Sequence, residues 1–471
     1  MNSSQIQALM PILMLSLTAI SLMIQASIKR NEKAAFAITF VGILLALWGT
    51  EYAREFVQPV TILLQVDTWT LFFTALILIA SLVTVVLSKD SFSPEGERKE
   101  EYYLLLVLSA LGAVVLIQSS HMASLLLGME LMGVSLYAMI AFPEKGLRPL
   151  EAAVKYLVLS GCASAILLFG FALIYAATGE LSYIGIGEKA AIGYERNPLL
   201  IMAGTAMVTS GIAFKLSLVP FHMWTPDVYQ GSPTPVTGFL ATVSKGAVFV
   251  ALTRIYLDAH LYQYESFILA LSVMAIFSII IGNLLALLQN DIKRLLAYSS
   301  IAHFGYLLIV LIAFTQSGMS NEAITFYLAA YILTTLAAFT VIARVDKGDP
   351  KISKIEKFEG LFWRNKIQAV TLSVAMLSFA GIPLTAGFMA KFFVINVAID
   401  SASWVLLGGL VIGSAIAIYY YLRVIFSMSK ASDVDNCSQD YFGNITAILL
   451  TTLILMLGSW PDPFIAYASG L

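Results

Sequence analysis

Four lysines, Lys155, Lys215, Lys245 and Lys391, stand inside long apolar runs of this 471-residue chain, whereas the arginines lie at or near the ends of such runs. Glu130 is the one carboxylate near the middle of such a run. A charged side chain at mid-bilayer depth costs about 2.5–3.5 kcal/mol on insertion scales. One carboxylate cannot neutralise four ammonium groups, even with Glu151 one turn before Lys155 to pair with it near a helix end. At least two of the lysines must be hydrated or neutral for part of the time. Lysine gives up its proton when desolvated, whereas arginine stays protonated. The pattern points to a proton relay, with structural ion pairing between helices as the competing reading. Histidine is the other shuttle. His303, in "YSSIAHFGY", lies inside an apolar run, and His222 follows Pro220 closely.

Two of the lysines stand beside helix-breaking residues. In "GIAFKLSLVPFHMW" (211–224) Pro220 follows Lys215, and in "LSFAGIPLTAGFMAKFF" Gly381 and Pro383 precede Lys391. A proline inside a span frees backbone carbonyls, which a membrane tolerates only where protein or water satisfies them. Broken spans recur along the ion paths of transporters. Two such breaks, each with a lysine, suggest two copies of one unit. A short internal match supports that: "EAAVKYL" at 151–157 resembles "EAITFYL" at 322–328.

Other chemistry is poorly represented. Cys162 and Cys437 are far apart and in no metal-ligand spacing, and the four histidines include no i, i+4 pair. No glycine-rich phosphate loop follows a strand pattern. Iron–sulfur, flavin and nicotinamide sites are not expected in this chain, and a haem held by His222 and His303 is the residual option. Any redox chemistry belongs to a partner. The net charge of −2 gives no reason to expect nucleic acid.

The elements that hold these residues are membrane spans. The chain is 59% hydrophobic and 12% charged, about half the usual charged fraction, with a mean hydropathy of +0.86. Apolar runs of the length that crosses a hydrocarbon core recur throughout. They predict an all-α polytopic membrane protein of about 14 spans, among them 150–177, 199–221, 233–257, 294–314, 322–344, 367–397 and 444–468. The first run, 6–28, is not expected to be a cleaved signal, because Lys29 and Arg30 follow it. Alternate connections carry 19 and 4 of the 27 Lys and Arg residues, with the longest basic loop at 344–366. That asymmetry places both termini on the non-cytoplasmic side. It also makes the two matching segments start on opposite faces, as inverted repeats do. In "KISKIEKFEGLFWRNK" (351–366), Ile355, Phe358, Leu361 and Phe362 share one face. The segment reads either as an interfacial helix or docking surface, or as a solvated basic loop. "LSGCASAILLFG" reads as close helix packing.

The stretch "FKLSLVPFHMWTPDVYQGSPTPVTGFLATVSK" (214–245) resembles the signature of the antiporter-like subunits of respiratory complex I, and "NDIKRLLAYSSIAHFGY" (290–306) is similar to the same family. The resemblance runs through about residues 100–430. It implies 14 transmembrane helices with two inverted five-helix repeats and two discontinuous helices. The implied organisation is an N-terminal three-helix segment at 1–100, a first antiporter-like repeat at 101–257, a second inverted repeat at 264–428, and a C-terminal helix at 429–471. It also implies a proton relay of Glu130, Lys155, Lys215, Lys245, His303 and Lys391, with helix breaks at Pro220, Gly381 and Pro383. Lys293 falls in the same motif as His303. One sister branch typically carries glutamate where Lys391 stands. No cofactor is implied in this chain: flavin, iron–sulfur clusters and quinone are expected in partner subunits. The implied partners are neighbouring antiporter-like and small membrane subunits and the lipid of a bacterial inner membrane. The alternative is a subunit of a multi-subunit Mrp-type cation/proton antiporter. A third reading is a subunit that only holds its neighbours in place.

Overall fold

A computed structural model of the chain describes residues 2–89, 91, 99–143, 147–346, 353–431 and 441–470. Cys437 and the basic residues Arg98, Lys145, Lys347 and Lys351 lie outside the described residues. The chain is helical almost throughout. The principal helices are α1 (Met10–Ile28), α2 (Glu32–Ala53), α3 (Thr68–Ser88), α4 (Lys99–Ile117), α5 (Met122–Ile140), α6 (Leu147–Thr178) and α7 (Pro198–Leu216). They continue as α8 (Trp224–Gly231), α9 (Thr234–Asp258), α10 (Glu265–Leu287), α11 (Ile292–Ile312) and α12 (Ser320–Asp346). The last are α13 (Lys366–Ala380), α14 (Ala386–Asp400), α15 (Trp404–Ser429), α16 (Tyr441–Ser459) and α17 (Asp462–Ala468).

Among the described residues 12 helices are long and apolar enough to cross a membrane, or 13 if the bent pair α16–α17 counts as one span. The expected count of 14 is not reached by length and composition, and the reason lies at 367–397. That run forms two helices of 15 residues, α13 and α14, separated at Gly381–Thr385. Each is about 22 Å long, short of the ~30 Å hydrocarbon core. The run at 444–468 is also interrupted, and its two halves meet at 84°.

The chain forms two compact units. The first comprises Met1–Val85, Pro94–Leu216 and Val243–Phe267; the second comprises Val86–Ser93, Ser217–Thr242 and Ile268–Leu471. In the first unit, α6 and α7 touch backbone to backbone through glycines. A Cβ on Gly170 would lie 2.8 Å from the Gly204 carbonyl oxygen, and one on Gly204 would lie 3.0 Å from that of Gly170. Gly211 meets Leu167 in the same way at 2.8 Å. Small residues at such crossings are how membrane helices approach each other closely. In the second unit, α11 and α12 are apolar on all sides and their most apolar windows are wholly buried, as helices without a polar face must be.

The amphipathic segment near 355 does not lie free. Ile355 and Phe358 form a 3-10 turn, Leu361 opens a short helix, and all three are buried against α13 and α15 in their own unit. Three of the four residues of the apolar face are part of the core; Phe362 is half-buried and Trp363 is 71% exposed.

Candidate functional site

Lys215 lies in the last turn of α7, where the helix dipole favours a cation. The helix stops one residue later because Ser217 takes a left-handed φ of 63° and Pro220 cannot continue it. Part of the backbone of the turn from Ser217 to Met223 is satisfied within the second unit: Val219 N–H donates to Ser278 Oγ at 2.9 Å and Phe221 N–H to Leu218 O at 2.6 Å, while the side chains of Thr225 and Ser217 bond to each other at 2.5 Å. His222 is buried in this turn.

Lys215 is 3% exposed. Its Nζ donates to Ser160 Oγ on α6 at 2.7 Å, and the Tyr137 hydroxyl on α5 donates to the same oxygen at 2.6 Å. One turn further along α6, Ser164 Oγ donates to Glu130 Oε1 at 2.5 Å. Glu130 is half-buried. Glu130 and Lys215 therefore do not pair directly; each bonds to a serine on one face of α6, four residues apart. Glu130, Gly133 and Tyr137 form the facing stripe of α5. A Cβ on Gly133 would lie 3.4 Å from Lys215 Nζ, so that position leaves room for the ammonium. Tyr156, one turn before Ser160, packs edge-on against Tyr137 at 5.1 Å and hydrogen-bonds Ser244. Ser244 closes the π-turn Leu240–Ser244 within α9 and precedes Lys245, which is fully buried.

Lys155 is not part of this cluster. One residue back from Tyr156 is a 100° rotation away on the helix, which turns Lys155 out of the buried face. Its side chain is 42% exposed and pairs with Glu151 at 2.7 Å. The expected i, i+4 partner is found, and the expectation that this lysine is buried is corrected.

The second unit holds His303 and Lys391. Gly381 ends α13 with a φ of 81°, its N–H bonding Leu377 O, and Leu384 is also left-handed. The capped turn leaves the carbonyls of Phe379 and Ala380 facing α14. Lys391 Nζ donates to them at 2.9 and 3.0 Å. Lysine again sits at the C-terminal end of a half-helix, here from the neighbouring helix. His303 on α11 bonds the Tyr327 hydroxyl through Nδ1 at 2.7 Å and the Tyr421 hydroxyl through Nε2 at 3.3 Å. A cavity of about 10 Å³, the size for one water, is lined by His303, Tyr327, Tyr331, Thr334 and Ser378, and by Gly387 and Ala390 of α14 beside Lys391. Thr334 and Ser378 are hydrogen-bonded at 2.9 Å on its wall.

The hydroxyl groups were not singled out from sequence, although Tyr156, Ser160 and Ser164 recur every four residues in "KYLVLSGCAS". Lys215 and Lys391 each bond to neutral oxygens and, among the described residues, to no carboxylate. Such sites can hold or release a proton without breaking an ion pair.

Residues 119–417 match the family model described as NADH:quinone oxidoreductase/Mrp antiporter, TM. The chain belongs to this family. It is 44% identical to NADH-quinone oxidoreductase subunit N of Methylococcus capsulatus over 476 residues, covering 100% of this chain and 96% of that one. A chain of respiratory complex I from Thermus thermophilus, solved with bound aureothin, matches with a TM-score of 0.84 at 31% identity, over 97% and 99% of the two chains. A chain of the membrane-bound sulfane sulfur reductase, an archaeal respiratory membrane complex, matches at 0.85 and 25% identity, over 99% and 96%. A chain of the Mrp complex from a Dietzia species shares the fold, with a TM-score of 0.86 at 17% identity over 100% and 97%. The curated relative is named as a subunit of NADH-quinone oxidoreductase and the 31% identical match is a chain of respiratory complex I, and this chain is a membrane subunit of the antiporter-like type.

Proposed function

We propose that the chain is the N-type, proton-translocating subunit of a bacterial NADH:quinone oxidoreductase. It would sit in the inner membrane with both termini on the non-cytoplasmic side, its two inverted repeats at 101–257 and 264–428. Flavin, iron–sulfur clusters and quinone belong to the partner subunits, and this chain moves protons without redox chemistry of its own. Full-length similarity to a relative of that name supports the reading. The observation that carries it is Lys215, buried in the last turn of a broken helix and bonded to a hydroxyl shared with Tyr137.

As an ammonium, Lys215 Nζ donates to Ser160 Oγ. As an amine it accepts the Ser160 proton, so the serine reverses its role when the lysine changes charge. Glu130, held by Ser164 on the same face, biases that charge state through the field without neutralising it. Tyr137, Tyr156 and Ser244 lead from this centre to the residue preceding Lys245. Lys391 and His303 form the corresponding centre of the second unit, with Lys391 exchanging toward the opposite side. Quinone reduction in the partner subunits drives the cycle by conformational or electrostatic coupling.

The test is NADH-driven quinone reduction and proton uptake in membranes carrying Lys215→Ala or Lys215→Arg, normalised to assembled complex. Loss of both activities in Lys215→Ala, partial rescue in Lys215→Arg and normal assembly are expected. Full activity of assembled Lys215→Ala would contradict the role given to this lysine.

A further inference from the structure

The second unit contains a buried ion pair that the relay does not use. Lys293, in the first turn of α11, and Asp346, the last residue of α12, are 1% and 2% exposed, with Nζ and Oδ2 3.3 Å apart. Both charges oppose the helix dipoles at their own ends, a cation at an N-terminus and an anion at a C-terminus. Helix capping does not account for them. A buried pair is also no better for stability than a well-packed apolar pair. What the pair does hold is a corner of the chain. Lys293 Nζ donates to Ser232 O at 3.2 Å, and Asp346 accepts from the Thr234 hydroxyl. Ser232–Thr234 joins α8, the distal half of the broken span after Lys215, to α9, which carries Lys245.

The same turn of α11 grips α8 twice more. Arg294 donates to Asp227 at 2.6 Å. Asp291, whose other oxygen caps α11, accepts from Gln230 at 2.9 Å. α11 then runs on as a wholly buried rod to His303.

We propose that Lys293 and Asp346 are positioning residues. The pair pins the Ser232–Thr234 corner to the start of α11, so that α8 and the helix bearing His303 move as one body. It rests on the proton-translocating reading above and adds a coupling element to it. Without the pair, α8 loosens and proton movement falls out of step with electron transfer.

The experiment compares Asp346→Asn, Thr234→Val and the exchanged pair Lys293→Asp with Asp346→Lys in the whole complex. Assembled amount, NADH oxidation, protons taken up per NADH, and hydrogen exchange of residues 224–234 in the solubilised complex are measured in each. Thr234→Val frees the corner while keeping the ion pair, so it is the variant least exposed to misfolding. Exchange of 224–234 is expected to quicken about tenfold in Asp346→Asn and Thr234→Val, with fewer protons per NADH at normal assembly. The exchanged pair, whose charges now agree with both dipoles, restores part of each. Unchanged exchange and proton yield in the assembled variants would overturn the proposal. So would failure of every variant to assemble, which would make the cluster an assembly brace. A wild-type complex that moves no protons would overturn the functional reading instead, and the exchange measurement would still decide the clamp.

Discussion

Ser160 stands between a phenol and an ammonium, and its hydroxyl is the atom through which Lys215 meets the rest of its cluster. Ser160→Ala leaves a buried amine short of one partner, a penalty of about 1–3 kcal/mol. Proton uptake per assembled complex is expected to slow roughly tenfold, and Ser160→Thr, which keeps the hydroxyl, to retain most of it. Lys155→Gln is expected to stay within about twofold of wild type, since an exposed helix pair contributes ~0.3–0.5 kcal/mol. Parallel assays of the two variants separate the buried face of α6 from the exposed one. Residue types were legible in the sequence: lysines without arginines, with one carboxylate, marked Lys215, Lys245 and Lys391. Which way each side chain faces was not, because α6 is apolar nearly all round and its phase is set only by contact with α5 and α7. Lys155 and Tyr156 are neighbours in sequence and point to different surroundings.

At the scale of elements, the glycine contacts between α6 and α7 set the distance from Ser160 to Lys215. Gly211→Val would press on Leu167 and cost about 1–3 kcal/mol as overpacking. Proton uptake is expected to fall more than the assembled amount, measured on the same membranes. The start of α5, which carries Glu130, depends on an unusual cap. His121 Nδ1 accepts from Ala123 N–H at 3.1 Å, which only the unprotonated nitrogen can do. Burial holds His121 below the ordinary histidine value of 6.5, with Glu180 opposing. The unfolded chain therefore takes up this proton first. The cap is intact above about pH 6.5, and its contribution is lost as pH falls from there through the lowered value. Lower protection of the Ala123 amide, relative to its intrinsic exchange rate at each pH, is expected on going to mildly acidic pH, and His121→Asn, a cap that does not titrate, should abolish that dependence. The breaks in α7–α8 and α13–α14 were legible from Pro220, Gly381 and Pro383. The carbonyls that receive Lys391 were not, since only the capped turn exposes them.

For the whole molecule, composition alone marked a polytopic helical membrane protein, and the signature around 214–245 marked its family. The span count fell short because the sequence shows apolar length, whereas a broken helix divides that length into pieces too short to cross. Residues 217–242 join the second unit while the chain on either side belongs to the first, an interleaving that the order of apolar runs does not show. Each unit contains a buried lysine at the C-terminal end of a half-helix, bonded to neutral oxygens. The central claim is that these lysines change charge as protons cross. It is tested most directly by the rate of NADH-driven proton uptake by the purified complex in sealed vesicles, for wild type, Lys215→Ala and Lys391→Ala. Both variants, fully assembled, are expected to take up protons much more slowly than wild type. A wild-type rate in either assembled variant would contradict the claim.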